Sequence, residues 1–174
     1  MLTNELQTQI TDDVLGKVKR SIVLLQGIFE SPVFDVLKAR KPEEVFVLEG
    51  RPSLDAAKFS CRELIKRNIR PTLIADNMAG FLFYKELVKE VWLSYQLADE
   101  NGALCQIGGL ILGVLGKRHQ VPVFLYPNRA KIHLIGPQRE IFYFNGVRTT
   151  PEDIRGYVPL AEWVPKKYIT KIYE

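Results

Sequence analysis

The chain has 174 residues and a mass of 19.9 kDa, which is the usual size of a single domain. Hydrophobic residues make up 47% and charged residues 25% of it, a composition that excludes disordered and collagen-like proteins. The net charge is +4, but the basic residues are spread along the chain, which argues against a nucleic-acid-binding tail and a polybasic membrane anchor.

The amino terminus carries no signal for secretion. Its first residues, MLTNELQTQITDD, are polar and acidic and contain no apolar stretch. The longest apolar run, Ile107 to Leu115, contains three glycines and is too short to cross a bilayer. Cys61 and Cys105 do not match a disulfide framework or a metal-binding motif. We therefore expect a reduced, cytoplasmic, soluble protein with no cofactor, no metal and no membrane partner.

Residues 1–19 are predicted to form a separate amphipathic helix. Leu2, Leu6, Ile10 and Leu15 form a rough apolar stripe, which favours packing on the sheet or on a partner subunit. No repeat or low-complexity linker divides the remainder, so we predict one α/β domain over residues 20–174.

Five short apolar runs follow, and segments with helical periodicity separate several of them. Consecutive apolar positions are typical of strands that are buried on both faces. The predicted strands are Ser21–Gln26, Val45–Leu48, Pro71–Ala75, Val91–Ser94 and Val121–Leu125. The predicted helices are Leu54–Asn68, a helix from an Asn77 cap to about Val88, and the glycine-rich segment Gly102–His119. This order predicts a doubly wound parallel sheet with right-handed crossovers and helices on both faces.

After Pro127 the pattern changes. The short runs Ile132–Ile135 and Ile141–Phe144 are too short for further β-α units, and Asn145-Gly146 follows the second of them. Asn-Gly after an apolar run is a strong signal for a hairpin turn. We therefore predict a small carboxyl-terminal β extension.

Polar residues follow each predicted strand, and ligands of open parallel sheets bind at the carboxyl ends of the strands. The guanidinium groups of Arg51 and Arg129 suit a phosphate or carboxylate, and predicted helix starts near Asn77 and Gly102 offer N–H groups to an anion. Strand-end loops are polar in many proteins, so an ordinary surface is the alternative. The candidate ligand-binding residues are Arg51, Asp76, Asn77, Tyr95, Asn101, Gln106 and Arg129.

Residues for general chemistry are harder to find. The sequence contains no GxSxG, HExxH, Walker or GxGxxG motif in a suitable position. His119 ends a predicted helix, where a cation complements the helix dipole, and we expect a structural role for it. Cys61 and Cys105 are predicted to be buried, inert thiols.

Several segments, in this order and spacing, resemble the initiation factor 2B alpha/beta/delta family. They are Glu49-Gly-Arg-Pro52 with Leu54–Lys58, Leu73–Ala79, Asn101–Gly108, Val121–Leu125 and the closing Val164–Glu174. That family includes methylthioribose-1-phosphate isomerase and ribose-1,5-bisphosphate isomerase. The resemblance covers residues 20–174 and implies the family's Rossmann-like carboxyl-terminal domain. It further implies a phosphorylated sugar or nucleotide as ligand, association as a homo-oligomer or with related subunits, and kinship with translation initiation.

The departures from the family pattern concern catalysis. The resemblance implies a catalytic cysteine after the first strand and a catalytic aspartate after the fourth, where this chain has Gln26-Gly27-Ile28 and Leu93-Ser94-Tyr95. Gln106 stands where the family has a phosphate-contacting lysine. Moving a proton between sugar carbons needs a titratable acid and base. The sequence therefore favours a non-catalytic module for ligand binding or assembly, with a truncated aldose–ketose isomerase as the alternative.

Two further alternatives stay open at this point. Glu49 and Arg51 lie on the same side of an extended chain, so the two side chains either pair or leave Arg51 for a ligand. The aromatic and apolar residues Trp163, Tyr168, Ile169 and Tyr173 either contribute an interface or pack on their own sheet.

Overall fold

The structure is a computed structural model, and it describes residues 21–128 and 133–174. The predicted helix over residues 1–19 and the candidate ligand residue Arg129 lie outside the described residues. The strands are β1 (Ile22–Gln26), β2 (Glu44–Leu48), β3 (Thr72–Ile74), β4 (Val88–Asp99), β5 (Gly102–Gln106), β6 (Val123–Pro127), β7 (Tyr143–Phe144), β8 (Val147–Arg148), β9 (Ala161–Pro165) and β10 (Lys171–Ile172). The α-helices are α1 (Ser31–Ala39), α2 (Asp55–Lys66), α3 (Ala79–Tyr84), α4 (Gly109–His119) and α5 (Arg139–Phe142).

A mixed sheet of eight strands forms the centre of the domain. Six strands lie side by side in the order β10-β6-β4-β1-β2-β3, and each neighbouring pair is parallel. Strand β5 pairs with β4 and with β9, and both of these pairs are antiparallel. The five predicted strands are confirmed as β1, β2, β3, β4 and β6. The expectation of a wholly parallel, doubly wound sheet is corrected to a mixed, mostly parallel sheet.

The antiparallel part of the sheet comes from residues 102–119, for which the sequence predicts a single helix. Strand β4 is 12 residues long and turns back at Asp99, whose Oδ1 accepts the N–H groups of Asn101 and Gly102 at 2.6 and 3.1 Å. The chain then returns as β5, and only residues from Gly109 onward are helical. Small residues such as Ala103 fill the buried positions of β5, so its period of two was hidden in a glycine-rich segment.

Helices cover both faces of the sheet, as predicted. Successive residues of a strand point to opposite faces. Ile22 and Leu24 pack in one apolar cluster with residues of α3 and α4, whereas Val23 and Leu25 pack in a second cluster with residues of α1 and α2. Burying one apolar stripe of each helix against the sheet is the main stabilising contribution to this architecture. In the described part of the chain, no helix is long and apolar enough to cross a membrane.

Asn77 does not cap a helix. It lies exposed in a single 3₁₀ turn, Asp76–Met78, and its side chain makes no capping hydrogen bond. Helix α3 begins at Ala79 and ends at Tyr84, well before Val88. The chain leaves the helix because Glu86 takes a left-handed conformation with φ of 58°, and the Leu87 N–H donates back to the Leu82 carbonyl.

The carboxyl-terminal extension contains the predicted hairpin. Strands β7 and β8 pair antiparallel, and Asn145 and Gly146 take positive φ values of 50° and 77° in the two-residue turn between them. The terminal aromatic residues pack on their own sheet, because Tyr168 and Ile169 contact one apolar cluster and Tyr173 stacks on Tyr126 at 4.7 Å. A role for these residues in an interface stays a prediction.

An acidic side chain joins α1 to α2. Glu63 is 5% exposed, and its carboxylate accepts hydrogen bonds from Lys66 Nζ, Ser31 Oγ and the Arg67 guanidinium at 2.6, 2.5 and 2.8 Å. These donors, Lys66 first, lower the pKa of Glu63 from 4.5 to about 2. Arg67 also pairs with Asp35 of α1 at 2.7 Å, so the two helices are tied by one charged network.

This network predicts a specific loss of stability in acid. The pKa of Glu63 is lower in the folded chain than the ordinary 4.5. The contribution of Glu63 to the free energy of unfolding is therefore complete above about pH 4.5 and disappears as the pH falls towards 2. Urea denaturation between pH 7 and pH 2.5 should therefore show a smaller acid-induced decline for Glu63→Gln than for the unmodified protein. Glu43→Gln is the control, because Glu43 is exposed and forms no ion pair within the described residues. An equal decline in all three proteins would contradict the assignment.

Candidate functional site

A cavity of about 600 Å³ lies at the carboxyl edge of the parallel strands. Residues that follow β1, β2 and β5 line it, together with the beginning of the carboxyl-terminal extension. Its polar lining includes Arg51, Asp55, Gln106, His133 and Glu140. Its apolar lining includes Ile28, Pro52, Ile135 and Leu160. The volume and the mixed lining suit a small polar molecule.

The loop that carries Arg51 is held by Asp76. Asp76 Oδ1 accepts the N–H of Gly50 at 2.9 Å, and Asp76 Oδ2 accepts the N–H of Arg51 at 2.8 Å. Gly50 has a φ of 68°, and a Cβ there would lie 2.8 Å from the Cβ of Ala56, so a larger residue does not fit. Asp76 was predicted to bind a ligand, but both of its carboxylate oxygens are engaged in positioning the backbone next to Arg51.

The Arg51 side chain stacks instead of pairing with Glu49. Its guanidinium carbon lies 4.7 Å from the centroid of the Phe144 ring, in the β7 strand of the extension. No ion pair forms between Arg51 and any acidic residue in the described part of the chain. The predicted alternative of a Glu49–Arg51 pair is therefore wrong. Arg51 brings a positive charge to the cavity, and no carboxylate of residues 21–128 or 133–174 forms an ion pair with it.

The antiparallel return of β5 brings Gln106 to the same cavity. Gln106 is the last residue of β5, and it pairs with Ala161 at the start of β9. Its Nε2 atom lies 3.2 Å from the position that a Cβ on Gly50 would occupy, so the glutamine amide reaches the Arg51 loop. Of the seven residues predicted to bind a ligand, Arg51 and Gln106 are the two that line this cavity in the described structure.

The other described candidates lie elsewhere, and the expected ring at the strand ends is not formed. Asn101 lies at the tip of the β4–β5 hairpin, five residues before Gln106, or about 17 Å along the strand. Tyr95 donates its O–H to the Tyr173 carbonyl at 2.7 Å and lines a separate cavity with Asp99 and Lys166. Asn77 is exposed on its 3₁₀ turn. Because β4 continues past the end of the parallel sheet, Asn101 at its far end lies away from the cavity.

The start of helix α4 is already occupied by an acidic side chain. Glu162 Oε1 accepts the N–H groups of Gly108 and Leu110 at 2.7 and 2.9 Å. The N–H groups predicted for an anion near Gly102 belong to a strand, and two N–H groups at the observed helix start, those of Gly108 and Leu110, are bonded to this carboxylate. Gly108, with a φ of 94°, packs against Gln26, whose Nε2 donates to the Ile107 carbonyl at 2.5 Å.

Nucleophilic and metal chemistry find little support among the described residues. Burial raises the pKa of the Cys105 thiol to about 12 and also raises the pKa of Cys61. Both shifts disfavour the nucleophilic thiolate near neutral pH. The predicted burial is confirmed for Cys105, whereas Cys61 is only partly buried. His119 packs on the Phe83 ring at 5.6 Å and is the last residue of α4, and it is not among the residues that line the cavity. No group of three or more metal-ligating side chains occurs in the two described ranges.

Sequence reasoning missed several residues of this region. His133 and Glu140 line the cavity, Phe144 contacts Arg51, and Glu162 caps α4. They belong to a segment that was read only as a β extension. The one available signal was the presence of single polar residues, such as His133, between apolar neighbours in short runs.

Comparisons with known proteins identify the relatives of this chain. The sequence model of the Initiation factor 2 subunit family matches residues 7–173. Methylthioribose-1-phosphate isomerases from Koribacter versatilis and Desulfitobacterium hafniense are 30% and 32% identical over 148 and 150 residues. Each of these alignments covers 78% of this chain but only 42% and 43% of the relative. The chain therefore spans less than half the length of the curated relatives that it matches.

Two solved structures share the fold. The delta subunit of translation initiation factor eIF-2B from A. fulgidus has a TM-score of 0.75 at 19% identity, covering 87% of this chain and 51% of that one. The 5-methylthioribose 1-phosphate isomerase from Pyrococcus horikoshii has a TM-score of 0.73 at 24% identity, covering 87% and 48%. At these identities the structural likeness concerns the fold alone.

The position of Asp76 predicts a large difference between neighbouring substitutions. Asp76→Ala removes two hydrogen bonds from backbone N–H groups to a carboxylate and should lower the free energy of unfolding by about 2–3 kcal/mol. Asn77→Ala, at the exposed neighbouring position, should change it by less than about 0.5 kcal/mol. Urea denaturation at neutral pH measures both values. Similar effects of the two substitutions would show that Asp76 does not hold the Arg51 loop.

Proposed function

Because this chain belongs to the Initiation factor 2 subunit family, we propose that its cavity binds a small phosphorylated sugar through Arg51. The observation that carries the proposal is the Arg51 guanidinium, which lines the cavity, forms no ion pair with a described residue and is presented by a loop that Asp76 holds. A guanidinium of this kind can donate two parallel hydrogen bonds to a phosphate.

The remaining lining residues suit the sugar. The Gln106 amide both donates and accepts hydrogen bonds, and the Asp55 and Glu140 carboxylates accept hydrogen bonds from hydroxyl groups. Ile28 and Leu160 provide apolar walls that can contact the faces of a pentose. The cavity therefore offers a cation for the phosphate group and carboxylate and amide acceptors for the hydroxyl groups of a phosphorylated sugar.

The residues at the ends of the first and fourth predicted strands favour a protein that binds the sugar phosphate without converting it. The resemblance assigns the acid and base of the isomerases to positions that here hold Gln26 and the stretch from Leu93 to Tyr95. Gln26 and Ser94 are 4% and 1% exposed, and neither side chain exchanges a proton near neutral pH. Burial also raises the pKa of Tyr95, whose hydroxyl is engaged with Tyr173. This residue set supports recognition of the ligand and provides no acid–base pair at those positions.

A second candidate function is isomerisation of a phosphorylated sugar. The curated relatives at 30% and 32% identity are named methylthioribose-1-phosphate isomerases, and this chain corresponds to less than half of each. The specific observation in its favour is that Asp55, His133 and Glu140 line the cavity, since proton transfer could use titratable groups at these new positions. The alternative differs from the first proposal only in whether the bound sugar reacts.

Substitution of Arg51 tests the binding site. Ribose 5-phosphate at about 100 times its dissociation constant should stabilise the protein by about 2.7 kcal/mol, and Arg51→Ala should abolish this gain. The ligand-free variant should lose no more than about 1 kcal/mol, the contribution of the contact with Phe144. Arg70→Ala is the matched control. Arg70 is exposed and lies just before the amino end of β3, whereas the cavity lies at the carboxyl ends of the parallel strands. Thermal and urea denaturation give both quantities, and stabilisation that survives Arg51→Ala would refute the site.

The same measurements with adenosine 5′-monophosphate distinguish a sugar phosphate from a nucleotide as the ligand.

Turnover distinguishes the two candidate functions. With methylthioribose 1-phosphate as substrate, a binding protein should give no conversion above the buffer rate. Conversion by the unmodified protein that falls at least about 100-fold in Glu140→Gln, with ribose 5-phosphate binding retained, would establish the isomerase instead. Glu152→Gln is the control, because Glu152 is an exposed carboxylate in the same extension.

A further inference from the structure

We infer that Phe144 is a positioning residue, whose ring holds the Arg51 guanidinium ready for the phosphate group of the ligand. The inference rests on the proposed function and extends it to a residue outside the described lining of the cavity. Phe144 lies in the hairpin formed by β7 and β8, far along the chain from the Arg51 loop. The affinity for the phosphate would then depend on the carboxyl-terminal extension as well as on that loop.

Phe144 does not contribute to the core of the domain. Its side chain is 40% exposed, and it belongs to neither of the two apolar clusters of the described residues. The guanidinium carbon of Arg51 lies 4.7 Å from the centroid of its ring, a distance at which the ring face attracts a cation. The contact between the two side chains therefore gives this exposed ring a role that burial does not.

The partners of other arginines indicate what Arg51 lacks. In the described part of the chain, three more arginines lie over aromatic rings, and each of them also donates hydrogen bonds to oxygen atoms. These arginines and their acceptors are Arg40 with Glu90, Arg67 with Glu63 and Asp35, and Arg148 with the carbonyl groups of Thr150 and Pro151. The Arg51 guanidinium has the ring but donates to no oxygen atom of residues 21–128 or 133–174.

A phosphate group supplies the missing acceptors. A phenylalanine ring contains no oxygen or nitrogen atom, so its contact with Arg51 leaves the five guanidinium N–H donors for another partner. A phosphate accepts two parallel hydrogen bonds from a guanidinium in a fixed geometry. The chain thus provides the cation and its aromatic support, and the ligand provides the oxygen atoms.

Arg51 is held at both of its ends. Asp76 Oδ2 accepts the Arg51 N–H at 2.8 Å and fixes the backbone, whereas Phe144 contacts the guanidinium at the far end of the side chain. A long, flexible side chain loses conformational entropy when a ligand orders it. Because the ring orders the guanidinium before the ligand arrives, this cost of binding is reduced. Loss of the ring should therefore weaken binding even though Phe144 is not part of the described lining.

A purely structural role for Phe144 makes a different prediction. If the ring only stabilises the hairpin, an equivalent substitution elsewhere in the same strand should have the same effect on binding. Tyr143 offers this comparison, because it is the other residue of β7 and is 44% exposed. Its ring lies 5.9 Å from the guanidinium carbon of Arg148. Tyr143→Leu therefore perturbs the hairpin without removing the ring next to Arg51.

The experiment measures the affinity for ribose 5-phosphate by isothermal titration calorimetry. Phe144→Leu keeps an apolar side chain but removes the ring, and it should weaken binding at least about fivefold. Phe144→Tyr keeps the aromatic face and should stay within about twofold of the unmodified protein. Tyr143→Leu, the matched control, should also stay within about twofold.

A spectroscopic measurement follows the Arg51 side chain itself. The Nε–H resonance of Arg51 in ¹⁵N-labelled protein is identified by its loss in Arg51→Lys. The nearby ring should shift this resonance away from its position in an unstructured peptide. The ring-induced shift should disappear in Phe144→Leu and persist in Phe144→Tyr and Tyr143→Leu. A role confined to the stability of the hairpin would not produce this pattern.

Two binding results overturn the inference: an unchanged affinity in Phe144→Leu, or an equal loss of affinity in Tyr143→Leu. If ribose 5-phosphate does not bind to the unmodified protein, the proposed function fails separately, and the Arg51 resonance then decides whether Phe144 positions Arg51. An Nε–H shift that is the same in Phe144→Leu and in the unmodified protein would refute the positioning role.

Discussion

The return of the chain at Asp99 is the constraint on which the rest of the site depends. Two hydrogen bonds from the backbone to one carboxylate oxygen reverse β4 into β5, and β5 then supports β9. This reversal carries Gln106 back to the carboxyl edge of the parallel strands and places Glu162 opposite Cys105. The beginning of α4 is set by the same event, because the helix starts only three residues after β5 ends. A helix running from Gly102, as predicted, would have lacked the strand that brings Gln106 to the cavity lined by Arg51.

A second constraint is the use of acidic side chains to satisfy backbone N–H groups in glycine-containing turns. Asp76 accepts from Gly50 and Arg51, and Glu162 accepts from Gly108 and Leu110. Turns of this kind bind external anions in many proteins because their N–H groups converge on one point. Here the chain supplies the anions itself. Among the described lining residues, Arg51 then carries the positive charge that is available to a ligand, and the loop backbone next to it is held in place by Asp76.

Family membership and site chemistry answer different questions about this protein. The Initiation factor 2 subunit family provides the fold and a set of relatives whose names include isomerases and subunits of a translation initiation factor. One fold can carry several activities, so the choice among them belongs to the cavity residues. Those residues include an arginine on a positioned loop, an amide and two carboxylates. Under the proposed function, they recognise a sugar phosphate, and whether the bound sugar also reacts is decided by the turnover experiment.

The sequence by itself determined the α/β class, the five parallel strands and the Asn145-Gly146 hairpin, because consecutive apolar residues and turn residues act locally. It also identified Arg51 and Gln106 as candidates, since both come after predicted strands. Only the tertiary structure decided which candidates meet: Asn101 is a close neighbour of Gln106 in sequence, yet it lies at the far tip of a hairpin. Only the structure showed that Asp76 supports the Arg51 loop, because the N–H groups that it accepts belong to residues 26 and 25 positions away. Phe144 reaches Arg51 for the same physical reason: contacts between distant segments depend on the path of the chain, and local residue patterns do not encode that path.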